Sequence, residues 1–169
     1  YYDASGAKVK QRVTTGGNTT VRYYFNGFEY DNSKRLNLIH MDEGVINVSS
    51  NATTFKYEYF LKDHLGNTRV AFQGKDLQGG VEILQTASYY PFGLVMRKSE
   101  FGLPSSLQNR YLYNGKELNP DKMTSEALEW YDYGARFYDQ QLGRWHVVDP
   151  LAEKDAYYSN YGYCFNNPM

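Results

Sequence analysis

An aromatic residue, an Asp, a Gly within a few positions and then a basic or apolar run form a loose unit. It recurs at Tyr2-Asp3, Tyr30-Asp31, Asp63 to Arg69, and Tyr138-Asp139 to Arg144. No other feature constrains the fold as much. In each copy the Asp carboxylate can accept backbone N–H bonds at a turn, and the Gly, where the copy has one, supplies a positive φ. The aromatic ring then covers the neighbouring hairpin. A chain interrupted so often has no room for long helices and reads as a succession of antiparallel hairpins. The repetition predicts a long antiparallel sheet, and the uneven spacing keeps it short of a strict solenoid.

Turn signals along the chain agree. Asp3 to Gly6 reads as a turn leading into Lys8 to Val13, and TTGGNT makes a second turn. Asn26-Gly27, with aromatics on both sides, is the strongest short hairpin signal. Further turns are predicted at Asp42-Glu43-Gly44, at Asp63-His64-Leu65-Gly66-Asn67 and at Asn114-Gly115, and a strand from Val81 ends at Tyr90-Pro91. Residues 93–108 read as a loop. One short helix is predicted within 119–130, with Thr124 or Ser125 as its cap and Leu128 facing the core; at about two turns it cannot stand alone. From Tyr131 the chain is expected to fold back as an irregular capping segment. The fold class is therefore all-β, a twisted antiparallel sheet of about ten or more short strands, with residues 1–110 as the hairpin strip and 111–169 as a distinct C-terminal part.

Composition narrows the function. Eighteen tyrosines among 169 residues give half-buried surfaces whose rings carry a polar tip. With 18 basic and 19 acidic residues interspersed, the net charge of −1 gives no one-signed field for nucleic acid or an anionic membrane. No apolar run approaches the length of a membrane-spanning helix. The first residues, YYDASGAKVKQR, are polar and begin at Tyr1, which reads as an excised piece with any export signal outside it. Cys164 is the single cysteine, so no internal disulfide forms, and it reads as a small packed residue. His40, His64 and His146 show no metal-ligand spacing, and neither GKDLQGG nor TTGGNT has the context of a phosphate loop. No metal or cofactor is expected. Exposed rings leave a surface adhesin or glycan-binding module as an alternative, although the hairpins themselves account for the aromatics.

Three stretches, DHLGNTRV, RYLYNGKEL and YDYGARFYDQQLGRWHVVDP, in that order resemble the Rhs, or YD-repeat, family. The likeness is to its repeat-associated core domain, in a version found in Bacteroidetes chains. The resemblance implies a structural role. Family members wind β-hairpins into a hollow secreted shell around a C-terminal toxic polypeptide, and the core closes one end as a plug. The implied partners are the rest of the shell and that toxin, with self-association through free sheet edges as a further expectation. Localisation would be secreted or at the bacterial cell surface. Asp63, Gly66, Asn67, Arg69, Tyr131, Gly134, Tyr138, Gly143, Arg144, Trp145 and Pro150 match the motifs as structural and turn positions.

Some family members also cut themselves from the toxin as aspartyl autoproteases, and in them an Arg precedes an Asp-Pro by thirteen positions. Arg136 and Asp149 keep that spacing and are the implied catalytic pair, an N-terminal part of such a site. A second Asp-Pro-Gly follows in the family pattern, whereas this sequence ends at Pro168-Met169 before reaching it. After Asp149-Pro150 it runs Leu-Ala-Glu-Lys-Asp, without the family's glycines. Aspartic proteolysis needs two carboxylates sharing a proton, so this chain alone is expected to be non-catalytic. The plain alternative for Asp149 is a turn in which its side chain bonds the following backbone. For Arg136 the alternatives are stacking on Tyr133 or Phe137, or pairing with Asp132 or Asp139.

Overall fold

The structure, a computed structural model, describes residues 1–75, 79–96, 109–119, 129–154 and 157–168. The expected helix within 119–130 and the loop over 97–108 fall largely outside the described residues. The chain divides into two compact units, the first comprising Tyr1–Leu61 and Arg69–Thr86 and the second comprising Lys62–Thr68, residues 87–96 and Asn109–Met169. The fold is all-β, built from two antiparallel sheets.

The larger sheet is a meander in which every strand pairs with its neighbour in sequence. Its strands are β1 (Lys10–Thr15), β2 (Asn18–Phe25), β3 (Phe28–Tyr30), β4 (Leu36–Met41), β5 (Gly44–Val48), β6 (Phe55–Lys62), β7 (Thr68–Gly74) and β8 (Val81–Thr86). The two-residue loops Gly16-Gly17 and Asn26-Gly27 all carry positive φ, as tight hairpins of this hand require. β8 ends at Thr86, earlier than the sequence suggests. Beyond it the chain turns from Tyr90 to Leu94 around Gly93 at φ +85°, with Tyr89 bridged to Val95. At Gly44 a side chain has no space, because a Cβ there would lie 2.0 Å from the Glu58 carbonyl oxygen.

The recurring Asp has the same job three times. Asp3, Asp31 and Asp63 each accept the amides two and four residues on through Oδ1. Each carbonyl accepts the amide three residues on, and each amide bonds the carbonyl four residues on. Hydrogen bonds from the Ser5 hydroxyl and the Ala7 amide hold Asp3 below the ordinary carboxylate range, and the Arg35 amide does the same for Asp31. The fourth residue of the loop must be left-handed: Gly6 at φ +82°, Gly66 at +78°, and Lys34 at +59°. Lys34 is the outlier, since a Cβ in that region costs about 1 kcal/mol. Lys34→Gly is expected to raise stability by up to roughly 0.5 kcal/mol once the entropy of glycine is set against the relieved strain. A thermal melt with no rise, or a fall, contradicts that account of the loop.

The second sheet runs in the order β12 (Arg144–Trp145), β11 (Phe137–Asp139), β10 (Trp130–Asp132), β9 (Glu117–Asn119). The capping segment is thus regular as far as Trp145 and irregular beyond it. Tyr131 and Tyr138, paired across β10 and β11, are fully buried and form one core with Ala87, Tyr89, Leu112, Tyr113 and Tyr163. The Tyr138 and Tyr163 rings lie 4.1 Å apart, and Trp145 meets both edge-on. Bonding most of the core's hydroxyls limits the cost of burying them, the exception being the buried Tyr131 hydroxyl, which has no hydrogen-bond partner among the described residues. Tyr89 donates to the Thr68 carbonyl at 2.7 Å, Tyr113 to Pro91 at 3.0 Å and Tyr138 to Phe92 at 2.8 Å.

Candidate functional site

The second unit carries an open cleft of about 640 Å³ on the side of β12, between that strand and the last residues of the chain. The backbone builds it by laying the tail along β12: Arg144 bridges Gly162, Trp145 N–H donates to the Tyr161 carbonyl at 3.0 Å, and Asp149 N–H donates to the Asn160 carbonyl at 2.9 Å. Arg136 enters from the β10–β11 turn. Gly134 shapes that turn at φ +87°, with its amide donating to Asp132 Oδ1 at 2.8 Å.

In the cleft wall Arg136 Nη1 lies 2.8 Å from Asp149 Oδ2, a charge contact rather than an aligned hydrogen bond. The guanidinium stacks 4.3 Å from the Trp145 ring centroid. Asp149 Oδ1 is already used, accepting the Leu151 amide at 2.8 Å, and its carbonyl accepts the Ala152 amide. The turn reading of Asp149-Pro150 therefore describes one carboxylate oxygen, and the pairing with Arg136 describes the other. Neither Asp132 nor Asp139 pairs with Arg136. Asp132 caps its own turn, and Asp139 accepts the Gln141 and Leu142 amides while its Oδ2 lies 3.2 Å from His146 Nε2. His146 accordingly faces Asp139 and stacks on Trp130 at 3.5 Å, away from the Arg136–Asp149 pair.

Among the described residues lining the cleft, Asp149 is the sole carboxylate. The arrangement can orient one ionised acid but offers no second one to share a proton. Cys164 also lines the cleft and is exposed rather than packed. It opens a turn, Cys164 to Asn166, whose three φ values are all positive and which holds its side chain out of the tyrosine core. No group of His, Cys, Asp or Glu suited to a metal ion occurs among the described residues.

The other sequence-derived positions divide by role. Asp63, Gly66 and Asn67 form the turn described above. Asn67, buried, also presents Oδ1 to the Asn114 amide at 2.8 Å. Arg69 is the second residue of β7 and half-buried. Tyr131 and Tyr138 are core. Gly143 holds φ +66° at a point where a Cβ would sit 3.2 Å from the Phe92 ring. Arg144 reaches over Tyr161 at 6.0 Å, Trp145 borders both core and cleft, and Pro150 is exposed. Sequence reasoning missed Asn114 as an organiser. Its Oδ1 accepts hydroxyl bonds from Tyr133 at 2.7 Å and Tyr163 at 2.8 Å, and its Nδ2 donates to the Leu65 carbonyl at 3.0 Å. The Asn-Gly signal marked it only as a turn.

With this geometry established, comparison with known proteins gives two kinds of likeness. Over 99% of its length the chain is similar to solved TcdB2-TccC3 structures. The crystal structure of TcdB2-TccC3-Cdc42 superposes with a TM-score of 0.69 at 19% identity, and that of TcdB2-TccC3 without its hypervariable C-terminal region with 0.63 at 17%. The likeness is one of fold. In sequence, the chain is 30% identical over 189 aligned positions to Salivary gland surface protein 1 of Aedes aegypti, a match that spans 99% of this chain. The chain spans only 5% of that relative and 8% of the solved chains. No family model matches the sequence.

Proposed function

We propose that this chain is a non-catalytic structural module of a secreted Rhs-type toxin, part of a hairpin shell and its end plug that encloses or presents a C-terminal effector. The observation that carries this reading is the eight-strand meander, preceded by the Asp3 turn, containing the identically bonded Asp31 and Asp63 turns, and followed by a tyrosine-cored unit. Of the Rhs-like motifs, the first falls at the Asp63 turn and the other two contribute to that core. The fold likeness to TcdB2-TccC3 over nearly the whole chain supports it. A secreted or cell-surface setting follows from the same reading, and the surface-protein relative supports it. Among the described residues no helix is long and apolar enough to cross a membrane.

The test is limited proteolysis of the full-length parent. The polypeptide downstream of this module is expected to resist protease until the module is denatured. Equal digestion of that segment with and without the module overturns the shell reading.

A second reading, the N-terminal part of an aspartyl autoprotease, is favoured by the 2.8 Å contact of Arg136 with Asp149 in an open cleft. Under it the parent is cut at one position and Asp149→Asn leaves it whole. A parent never cut removes this reading and leaves the first intact.

A further inference from the structure

We propose that the aromatic face of the eight-stranded sheet is a docking surface for the same face of a second copy of this chain. Strand register assigns the face. Phe25 pairs with Phe28, Phe28 with Ile39, Ile39 with Ile46 and Ile46 with Tyr57, so one apolar row crosses β2 to β6. On β6 the alternate residues Phe55, Tyr57, Tyr59 and Leu61 share this side. Tyr59 stacks on Phe72 at 5.7 Å, and Phe72 pairs with Ile83 of β8, carrying the row to the edge of the sheet.

The opposite face carries the buried polar groups. Glu29 and Glu58 are 1% and 5% exposed; Glu29 lies 2.8 Å from His40, and Glu58 accepts from Asn47 at 3.1 Å. Burial pushes the Glu58 carboxyl above its ordinary range. Charges inside with rings outside is the reverse of a solvated sheet, and an apolar patch of this extent marks an interaction surface.

Area and charge identify the occupant. Phe25, Phe55, Tyr57, Tyr59, Leu61 and Ile83 are 38–73% exposed. At roughly 150–250 Å² for an aromatic side chain, and less for an aliphatic one, they and the neighbouring Val81 leave about 600–700 Å², close to the roughly 800 Å² per partner of a standard interface. A self-complementary face needs a two-fold partner. Lys10 and Arg12 lie on the same side of β1, with Lys10 Nζ 5.4 Å from the Tyr23 ring. A two-fold axis along the strands sets β1 of one copy over β8 of the other and keeps these like charges apart, giving the aligned packing of two sheets.

Sedimentation equilibrium of the chain over micromolar concentrations tests this. A reversible dimer is expected, with Tyr57→Ser and, separately, Ile83→Ser each raising Kd by roughly tenfold or more. Circular dichroism would confirm that each variant is folded. Because Ile83 lies on the last strand, its variant keeps the test open if Tyr57→Ser unfolds. A monomer throughout, growth beyond a dimer, or a dimer that both variants leave intact while β1 and β8 edge amides become protected from exchange overturns the proposal.

Discussion

Asn114→Ala is expected to lower the stability of the C-terminal unit by roughly 3–5 kcal/mol. Three losses combine at one residue. Tyr133 and Tyr163 lose their shared acceptor, and only one of their two hydroxyl protons can then be given to the other ring's oxygen, 3.0 Å away. The Leu65 carbonyl loses its donor. Ala must also hold a φ of +49°, a region that Asn tolerates better than other residues with a Cβ. Asn114→Asp separates these terms, because it keeps the acceptor and the backbone preference but turns a second acceptor toward the Leu65 carbonyl; it is expected to cost roughly 1–3 kcal/mol, less than Ala. Denaturant unfolding followed by tyrosine fluorescence reads both variants. An Ala variant within 1 kcal/mol of the parent chain, on the scale of one ordinary hydrogen bond, removes Asn114 from its organising role.

Above about pH 10 the chain is expected to lose stability steeply. Burial raises the hydroxyl pKa of Tyr113, Tyr131, Tyr133, Tyr138 and Tyr163 above the ordinary tyrosine value, and for Tyr163 the bond with Tyr133 raises it further. In the unfolded chain these phenols ionise near pH 10, while in the folded chain they stay protonated. Their contribution is therefore complete below the ordinary pKa and is lost as pH rises toward the raised folded values. Each hydroxyl held protonated adds a slope of up to about 1.4 kcal/mol per pH unit. Tyrosinate absorbance should show Tyr113, Tyr131, Tyr133, Tyr138 and Tyr163 silent until cooperative unfolding. Titration of all of them near pH 10 with the fold intact contradicts the buried-phenol core. Tyr131→Phe, which takes one titrating group out of the core, should make the alkaline loss shallower.

Much of the first sheet was legible because its determinants are local. An Asp that bonds amides two and four residues away leaves its signature within a five-residue window, and Asn26-Gly27 and Gly16-Gly17 fix hairpins for the same reason. The side on which each ring lands is a property of register and cover. Sequence reasoning had the aromatics covering neighbouring hairpins. That describes Tyr131 and Tyr138, whereas Phe25, Phe55 and Tyr57 remain exposed. The candidate site was legible in residue type more than in partner. The thirteen-residue spacing named Asp149 as the partner of Arg136, and the two do meet; the alternative partners nearer in sequence, Asp132 and Asp139, cap their own turns, and the β11–β12 hairpin carries Asp149 round instead. Cys164 seemed suited to the core by size, and three successive left-handed residues place it outside.

The order of strands in the meander also sets how each unit can fold. Every pairing in β1 to β8 joins neighbours in sequence, so each hairpin closes a short loop and can lengthen the sheet from whichever turn forms first. The tyrosine core has no such route. Its bonds from Asn114 to Asn67 and Leu65 span 47 and 49 residues, and ordering that much chain must precede any gain from packing the rings. The meander is therefore expected to zip quickly and the C-terminal unit to be the slow step, the part of the chain that spends longest with its phenols in water.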